Sequence, residues 1–312
     1  MRLVFLGTPA FAVPTLERVV EAGHEVLAVV TQPDRPRGRG QTPAPPPVKQ
    51  AALRLGLPVY QPERVRRPEA VERLRELSAE AMVVVGYGQI IPQAVIDLAP
   101  LGIVNVHGSL LPRYRGAGPI QWAILNGETR TGVTTMQIDA GLDTGDMLLK
   151  AETEIGADEN SIELGGRLAA MGARLLVKTL EGLSAGTIVP EKQDAAQASW
   201  ARLLKKPDGL IDWTRDAAAI HNQVRGLQPW PGAYTTFRGQ WLHVWKSRVE
   251  GATMPSVPGT AHRMAHRLVV ACGSDWLELL DVQMEGRKRL AAADFANGQR
   301  LADNEVLGGE RL

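Results

Sequence analysis

From Met1 to about Pro190 the hydrophobic positions fall into short apolar runs separated by longer amphipathic stretches. Leu3 to Leu6 and Val26 to Val30 are apolar runs bounded by turn residues, the pattern of strands buried on both faces. The stretch between them opens on Pro14, which suits the first turn of a helix. The alternation continues with a helix around Val48 to Leu55, a strand at Val59 and Tyr60, a helix near Glu69 to Leu77, and strands at Ala81 to Val85 and Ile103 to His107. Strands alternating with helices predict a doubly wound α/β domain with a parallel sheet. Thr131 to Ile138 and Met147 to Thr153 add strand character, and the Leu/Ala spacing of Ser161 to Leu183 predicts one long closing helix. This domain is expected to occupy residues 1–190.

The pattern then changes. From Gln193 to Asp208 the chain loses periodicity and ends in Lys-Lys-Pro-Asp-Gly, so residues 191–208 read as a linker. Beyond it, Ala233 to Phe237, Gln240 to Lys246, Arg267 to Ala271 and Trp276 to Gln283 are short β-type runs separated by Gly, Pro or polar turns. A small antiparallel barrel of OB-like size is expected over residues 209–312, although another small β-fold satisfies the same pattern.

Composition narrows the classes. A chain of 312 residues can bury two cores, and 44% hydrophobic with 22% charged residues is ordinary for a soluble globular protein. No apolar run reaches the ~18 residues needed to span a bilayer. The apolar start Met1 to Leu6 is cut short by Gly7-Thr-Pro9, which argues against a signal peptide. The single cysteine, Cys272, excludes an internal disulfide and a multi-cysteine metal site. A cytoplasmic protein without a metal or a membrane partner is therefore expected; a monomer is expected too, although nothing in the sequence fixes the oligomeric state. A net charge of +1 says nothing about a polyanionic partner, but the cations cluster: Arg35, Arg37 and Arg39, then Arg64, Arg66 and Arg67, then Lys205 and Lys206.

Candidate chemistry sits at the end of the strand Ile103 to His107. In doubly wound sheets ligands bind at the carboxyl ends of strands, and the strand period of two turns Asn105 and His107 to one side. An amide that donates and an imidazole that donates or relays a proton can then converge on one small group. Gly141-Leu-Asp143-Thr-Gly145 can bring a carboxylate to that imidazole, to hold it cationic or to act through water as a base. Asp143 equally suits an Asx-turn, and Asn105 and His107 equally suit structural roles.

Two runs, Asn-Val-His-Gly-Ser-Leu-Leu-Pro-Arg-Tyr-Arg-Gly-Ala-Gly-Pro-Ile-Gln (105–121) and Gly-Val-Thr-Thr-Met-Gln-Ile-Asp-Ala-Gly-Leu-Asp-Thr-Gly-Asp-Met (132–147), closely resemble the methionyl-tRNA formyltransferase family, within the folate-dependent formyltransferases. The opening Val-Phe-Leu-Gly-Thr-Pro, the segment Val-Thr-Gln-Pro-Asp-Arg-Pro-Arg-Gly-Arg-Gly-Gln, and the later Asp-Trp-Thr and Gln-Pro-Trp-Pro-Gly-Ala-Tyr are similar to that family too. The resemblance thus covers nearly the whole chain. Gly108, where the wider group has Pro, favours the tRNA-directed branch.

The resemblance implies a Rossmann-like formyltransferase domain followed by the OB-like domain, with catalysis by Asn105, His107 and Asp143. It implies 10-formyltetrahydrofolate as donor, held by Gly86, Tyr87, Gly88, Gln89 and Ile90 and by Ser109, Leu110, Leu111 and Pro112. The acceptor it implies is methionyl-initiator tRNA. The Gly/Pro-rich stretch Pro33 to Pro47 is too long for an ordinary connection, and arginines spaced two apart can clasp phosphates or stack on an unpaired RNA end. By resemblance Arg39 is the key arginine there, with Arg35 and Arg37 beside it and Lys205 and Lys206 adding backbone contacts. Trp230, Trp241 and Trp245 suit stacking, but half-buried core is the default.

Three rival readings compete with this one. An NAD-dependent dehydrogenase shares the fold, yet Gly7-Thr-Pro-Ala-Phe lacks the glycine fingerprint and Val29-Val-Thr-Gln32 lacks the acidic ribose ligand. A formyltransferase acting on an amino sugar or glycinamide ribonucleotide would lack the arginine loop and the second domain. A noncatalytic tRNA-binding module would leave the Asn/His/Asp set unused.

Overall fold

The computed structural model describes residues 1–37, 42–251 and 255–309. The chain forms two compact units, the first of residues 1–119, 131–153 and 165–201, the second of 120–130, 154–164 and 202–312. The division falls inside the stretch expected as a linker. It also gives the second unit two segments that sequence alone left in the first. Local bonding explains this: Arg225 Nη1 donates to the carbonyls of Gly156 at 3.1 Å and Glu159 at 2.9 Å, and Ser161 Oγ donates to that of Gln228.

The first unit runs β1 (Arg2–Gly7), α1 (Val13–Glu21), β2 (Glu25–Val30), β3 (Arg35–Arg37), β4 (Thr42–Ala44), α2 (Pro47–Arg54), β5 (Val59–Tyr60), α3 (Pro68–Glu76), β6 (Ala81–Val85), α4 (Gln93–Ile96) and β7 (Ile103–His107). Next in the chain comes α5 (Pro119–Leu125), which apart from Pro119 belongs to the second unit, and the first unit continues through β8 (Arg130–Gln137), β9 (Met147–Glu154) and α6 (Ser161–Ser184), of which Arg130, Glu154 and Ser161 to Leu164 belong to the second. The main sheet has the order β5-β2-β1-β6-β7-β8-β9. It is parallel from β5 to β7 and antiparallel between β7 and β8.

Alternate residues of each strand feed two cores, as a sheet covered on both faces requires. Leu3, Phe5, Val83, Val85, Val104 and Val106 pack with Leu16, Ala51 and Leu176. Val4, Leu6, Met82, Val84 and Ile103 pack with Val71, Leu74 and Val95. Asn105 and His107 therefore share the face of Ile103. Strand order runs outward in opposite directions from β1 and β6, so the crevice at these strand ends is the topological switch point where α/β sheets place ligands.

The stretch Pro33 to Pro47 is not wholly irregular: β3 and β4 pair antiparallel as a small ribbon. Pro36 faces Pro43, a register that puts both residues lacking an N–H at a pair that exchanges no ladder bond.

The second unit contains α7 (Ala217–Gly226), β10 (Ala233–Phe237), β11 (Gln240–Glu250), β12 (Thr260–Met264), β13 (Arg267–Ala271), β14 (Trp276–Met284), β15 (Leu290–Ala291), α8 (Ala292–Gly298) and β16 (Glu305–Val306). The antiparallel sheet runs β10-β11-β14-β13-β12-β16, with β15 beside β14, and makes the OB-like half-barrel. Leu242 and Val244 of β11 enter a core with Phe237, Leu277, Ile220 and Phe295. Trp241 and Trp245, on the other face of β11, are half-buried, whereas Trp230 is exposed.

Candidate active site

Asn105 and His107 lie on the last turns of the pleat of β7, with 8% and 5% of their surfaces exposed. Beyond them the chain leaves the sheet in a loop tied to β8. Leu111 N donates to Thr134 Oγ1 at 3.1 Å, and that hydroxyl donates to Ser109 O at 2.7 Å. Ser109 Oγ donates to Arg113 O at 2.6 Å, closing the turn. Tyr114 then adopts a positive φ of 61°, uncommon for a bulky residue, and its N–H donates to Ser199 Oγ at 2.9 Å. The result orients the imidazole, because Tyr114 O lies 2.9 Å from His107 Nε2. A carbonyl only accepts, so Nε2 carries its proton and a neutral His107 has its free lone pair at Nδ1.

Nδ1 faces Asp143, whose Oδ2 is 3.7 Å away. Asp143 also sits at positive φ, 53°, inside the loop between β8 and β9. The Asx-type work in that loop falls to another carboxylate: Asp139 accepts from Gly141 N at 3.0 Å and from Thr144 Oγ1 at 2.8 and 2.9 Å. Asp143 instead points its Oδ2 at the N–H of Gly116, 2.9 Å away. Gly145 permits this course, since a Cβ there would lie 1.9 Å from Gln137 O.

Two residues that no sequence pattern singled out secure the arrangement. Gln193 Nε2 donates to the carbonyls of Asp143 at 2.9 Å and Gly145 at 2.8 Å. Its Oε1 accepts from Arg115 Nε at 2.9 Å and Nη2 at 2.8 Å. Arg115 is buried. No periodicity marked Gln193, which lies where the helical pattern has ended. Asn105 differs from its neighbours in having no side-chain hydrogen bond among the described residues. A nearly buried amide left open in this way is available to a ligand.

The segment after β6 is built on another plan. Gly86 and Gly88 take φ of 56° and 84°. Between them Tyr87 is only 1% exposed and its ring joins the core with Met82 and Val95. Burial pushes the Tyr87 hydroxyl up to about 12, and that hydroxyl has no partner among the described residues. Tyr87 O accepts from Thr8 Oγ1 at 2.9 Å and Gln32 Nε2 at 3.2 Å. Gln89 Oε1 accepts from Val65 N at 2.8 Å. Ile90, by contrast, is 90% exposed, and so is much of Leu142 next to Asp143. Of the segment 109–112, Ser109 and Leu111 are buried and Leu110 and Pro112 half-buried.

Arg35 is exposed at the start of β3, and Arg37 ends that strand. Arg39 lies outside the described residues. Asp34, just before the ribbon, is held below the usual carboxylate range by hydrogen bonds from Gln61 and Lys49. Lys205 and Lys206 are exposed in the second unit. Among the described residues no His/Cys/Asp/Glu cluster suits a metal ion, and no helix is long and apolar enough to cross a membrane.

Residues 1–180 match the family Formyl transferase and residues 203–300 match Formyl transferase, C-terminal domain, which sets the class as a formyl-group transferase. Methionyl-tRNA formyltransferase of Solibacter usitatus is 75% identical over the whole length of both chains. That of Citrifermentans bemidjiense is 53% identical over 99% of this chain and 96% of its own. The chain belongs to the methionyl-tRNA formyltransferase family of enzymes. Its fold is also that of an N-formyltransferase from Helicobacter canadensis, solved in complex with folinic acid and dTDP-3-aminofucose, at a TM-score of 0.68 and 19% identity over 90% of this chain and 98% of that one.

Proposed function

We propose that this enzyme moves the formyl group of 10-formyltetrahydrofolate to the α-amino group of methionyl-initiator tRNA, acting as a monomer in the cytoplasm. The observation that carries the chemistry is an open amide, Asn105, on the same face of β7 as an imidazole whose Nδ1 faces Asp143 at 3.7 Å. The amine nitrogen bonds to the formyl carbon, the carbonyl oxygen becomes an oxyanion, and the bond from that carbon to N10 of the carrier breaks. The amine loses one proton and N10 gains one, so no proton is consumed.

Asn105 donates its amide N–H to the oxyanion, an interaction worth on the order of 3 kcal/mol in the transition state. His107 takes the amine proton at Nδ1, because Nε2 is engaged with Tyr114 O, and passes it to N10. Asp143, fixed by Gly116 N and by the Gln193 bridge, stabilises the imidazolium formed in between. The folate lies against exposed Ile90 and the main chain of Gly86, Tyr87, Gly88 and Gln89, with the main chain of Ser109, Leu110, Leu111 and Pro112 on its other side. The buried side chains of Tyr87, Ser109 and Leu111 support those main chains instead of touching the ligand. Arg35, Arg37 and Arg39 receive the acceptor end of the RNA, and Lys205 and Lys206 contact its phosphates.

The test is transfer of labelled formyl from 10-formyltetrahydrofolate to methionyl-tRNA, run beside free methionine, glycinamide ribonucleotide and a nucleotide-linked amino sugar. Formylation of methionyl-tRNA alone is the expected result. Equal or faster formylation of either small acceptor would replace this reading with the corresponding small-molecule transferase.

A further inference from the structure

A chain of polar contacts joins the foot of the arginine ribbon to the segment after β6. Asp34, the residue before β3, accepts from Lys49 Nζ at 2.7 and 2.9 Å and from Gln61 Nε2 at 2.7 Å. Gln61 Nε2 also donates to the carbonyl of Gln32 at 2.8 Å. The Gln32 side chain turns the opposite way, its Nε2 donating to Tyr87 O at 3.2 Å and its Oε1 accepting from Gln89 Nε2 at 3.4 Å. Gln32 N faces Thr8 Oγ1 at 3.4 Å, and the same hydroxyl donates to Tyr87 O. Every polar group of Gln32 is thus committed, its side chain to the 86–90 segment and its carbonyl to the anchor of the ribbon.

The segment it holds needs such ties. Gly86 and Gly88 lie in the left-handed region, where glycine imposes little restriction of its own, so hydrogen bonds must set the course of this backbone. A Cβ added to Gly88 would lie 3.7 Å from Gln32 Nε2, so the Gln32 side chain runs beside this backbone. Asp34, Gln61 and Lys49 are remote from the reacting groups Asn105 and His107 in sequence and make no hydrogen bond to them among the described residues.

We infer that Gln32 is a positioning residue that couples the donor segment to the RNA-bearing ribbon, so that folate binding at residues 86–90 and RNA binding at Arg35 strengthen each other. This rests on the reading of those two segments given under Proposed function. A ligand that fixes Tyr87 and Gln89 fixes the Gln32 side chain, and through its carbonyl the Gln61–Asp34–Lys49 anchor. Coupling of this kind is reciprocal, so each substrate reports on the other's segment.

The test is a cycle of variants in the full-length protein, with folinic acid as the probe and its dissociation constant measured by calorimetry. Asp34→Asn, which breaks the ion pair to Lys49 far along the chain, is expected to weaken folinic acid binding about fivefold. In a Gln32→Leu background the same change is expected to have less than about twofold effect. Equal effects in both backgrounds, or no effect of Asp34→Asn in either, overturns the inference. Should Gln32→Leu not fold, Gln32→Glu serves, since it sets a carboxylate oxygen against Tyr87 O. In the reverse direction Gln89→Leu, assayed with saturating 10-formyltetrahydrofolate, should raise the KM for methionyl-tRNA about fivefold; an unchanged KM overturns the coupling. If the unaltered enzyme binds no folinic acid, the site reading itself has failed, an outcome visible before any variant is made.

Discussion

The segments beyond β6 and β7 leave adjacent strands of one sheet, yet they use their residues in opposite ways. At the end of β7 two nearly buried polar side chains are left available: Asn105 is open, His107 offers Nδ1, and the backbone of Tyr114 and Gly116 is spent on orienting His107 and Asp143. After β6 the polar side chains are consumed internally, Gln89 on Val65 and Tyr87 in the core, while two left-handed glycines and exposed Ile90 make the surface. The first arrangement suits chemistry, which needs few atoms at fixed positions. The second suits recognition of a flat ligand, which needs shape and main-chain groups. Substitutions should therefore separate kcat from KM according to the segment they fall in.

The largest separation is expected at β7. Asn105→Ala and His107→Ala should each lower kcat at least ~100-fold, while the dissociation constant for folinic acid changes little. Steady-state kinetics together with calorimetric binding check both halves. A KM effect with near-normal kcat would erase the contrast, moving these residues into the binding class.

Gly145→Ala probes the same segment through its scaffold. The new methyl would press on Gln137 O, so the Asp143 loop must shift and carry Oδ2 away from His107. Displacement of this order costs on the order of tenfold to a hundredfold in kcat, with a fall of a few degrees in Tm from overpacking. Activity that survives intact would show that the 3.7 Å approach of Asp143 to His107 is not needed.

The contrast between the segments was only half legible in the sequence. The strands Ala81 to Val85 and Ile103 to His107 could be read to the residue, because the first is a continuous apolar run ended by Gly86 and the second is a β-branched run broken only by Asn105 and ended by His107 and Gly108. Period two also put Asn105 and His107 on one face. The path of the chain beyond each strand was not readable, since it is set by distant partners: Ser199 on Tyr114, Gln193 on Asp143, Gln32 on Tyr87. Nothing local marks Asp139 rather than Asp143 as the turn former, for both stand near glycine in a polar loop. In the second unit β12 and the helices α7 and α8 escaped notice, as Thr260–Met264 carries little apolar alternation and the helices are ten residues or fewer.

On the β6 side the effects should be smaller and should fall on KM. Ile90→Ala removes an exposed apolar side chain, so stability is expected to stay within ~0.5 kcal/mol. If the pteridine packs on it, the lost contact raises the KM for 10-formyltetrahydrofolate about tenfold and leaves kcat within about twofold. A fall in kcat with unchanged KM would put Ile90 with the β7 residues instead.

Tyr87→Phe is expected to change least, and that is what makes it informative. Tyr87 is the one aromatic in the segment, so a stacking or hydrogen-bonding role for its ring is the obvious alternative to a main-chain role. The ring is enclosed with Met82 and Val95, and its hydroxyl, pushed up to about 12 by burial, has no partner among the described residues. Removing an unpaired buried hydroxyl leaves the ring packing intact and relieves an unmet polar group, so stability should hold or rise by up to ~1 kcal/mol. Both KM values and kcat should match the unaltered enzyme, because Tyr87 O still receives Thr8 and Gln32. Denaturant melts and steady-state kinetics on the same preparation decide it. A several-fold rise in the KM for the donor would mean that the hydroxyl meets the ligand directly, and the division between a segment that acts through side chains and one that acts through its backbone would fail at its most buried residue.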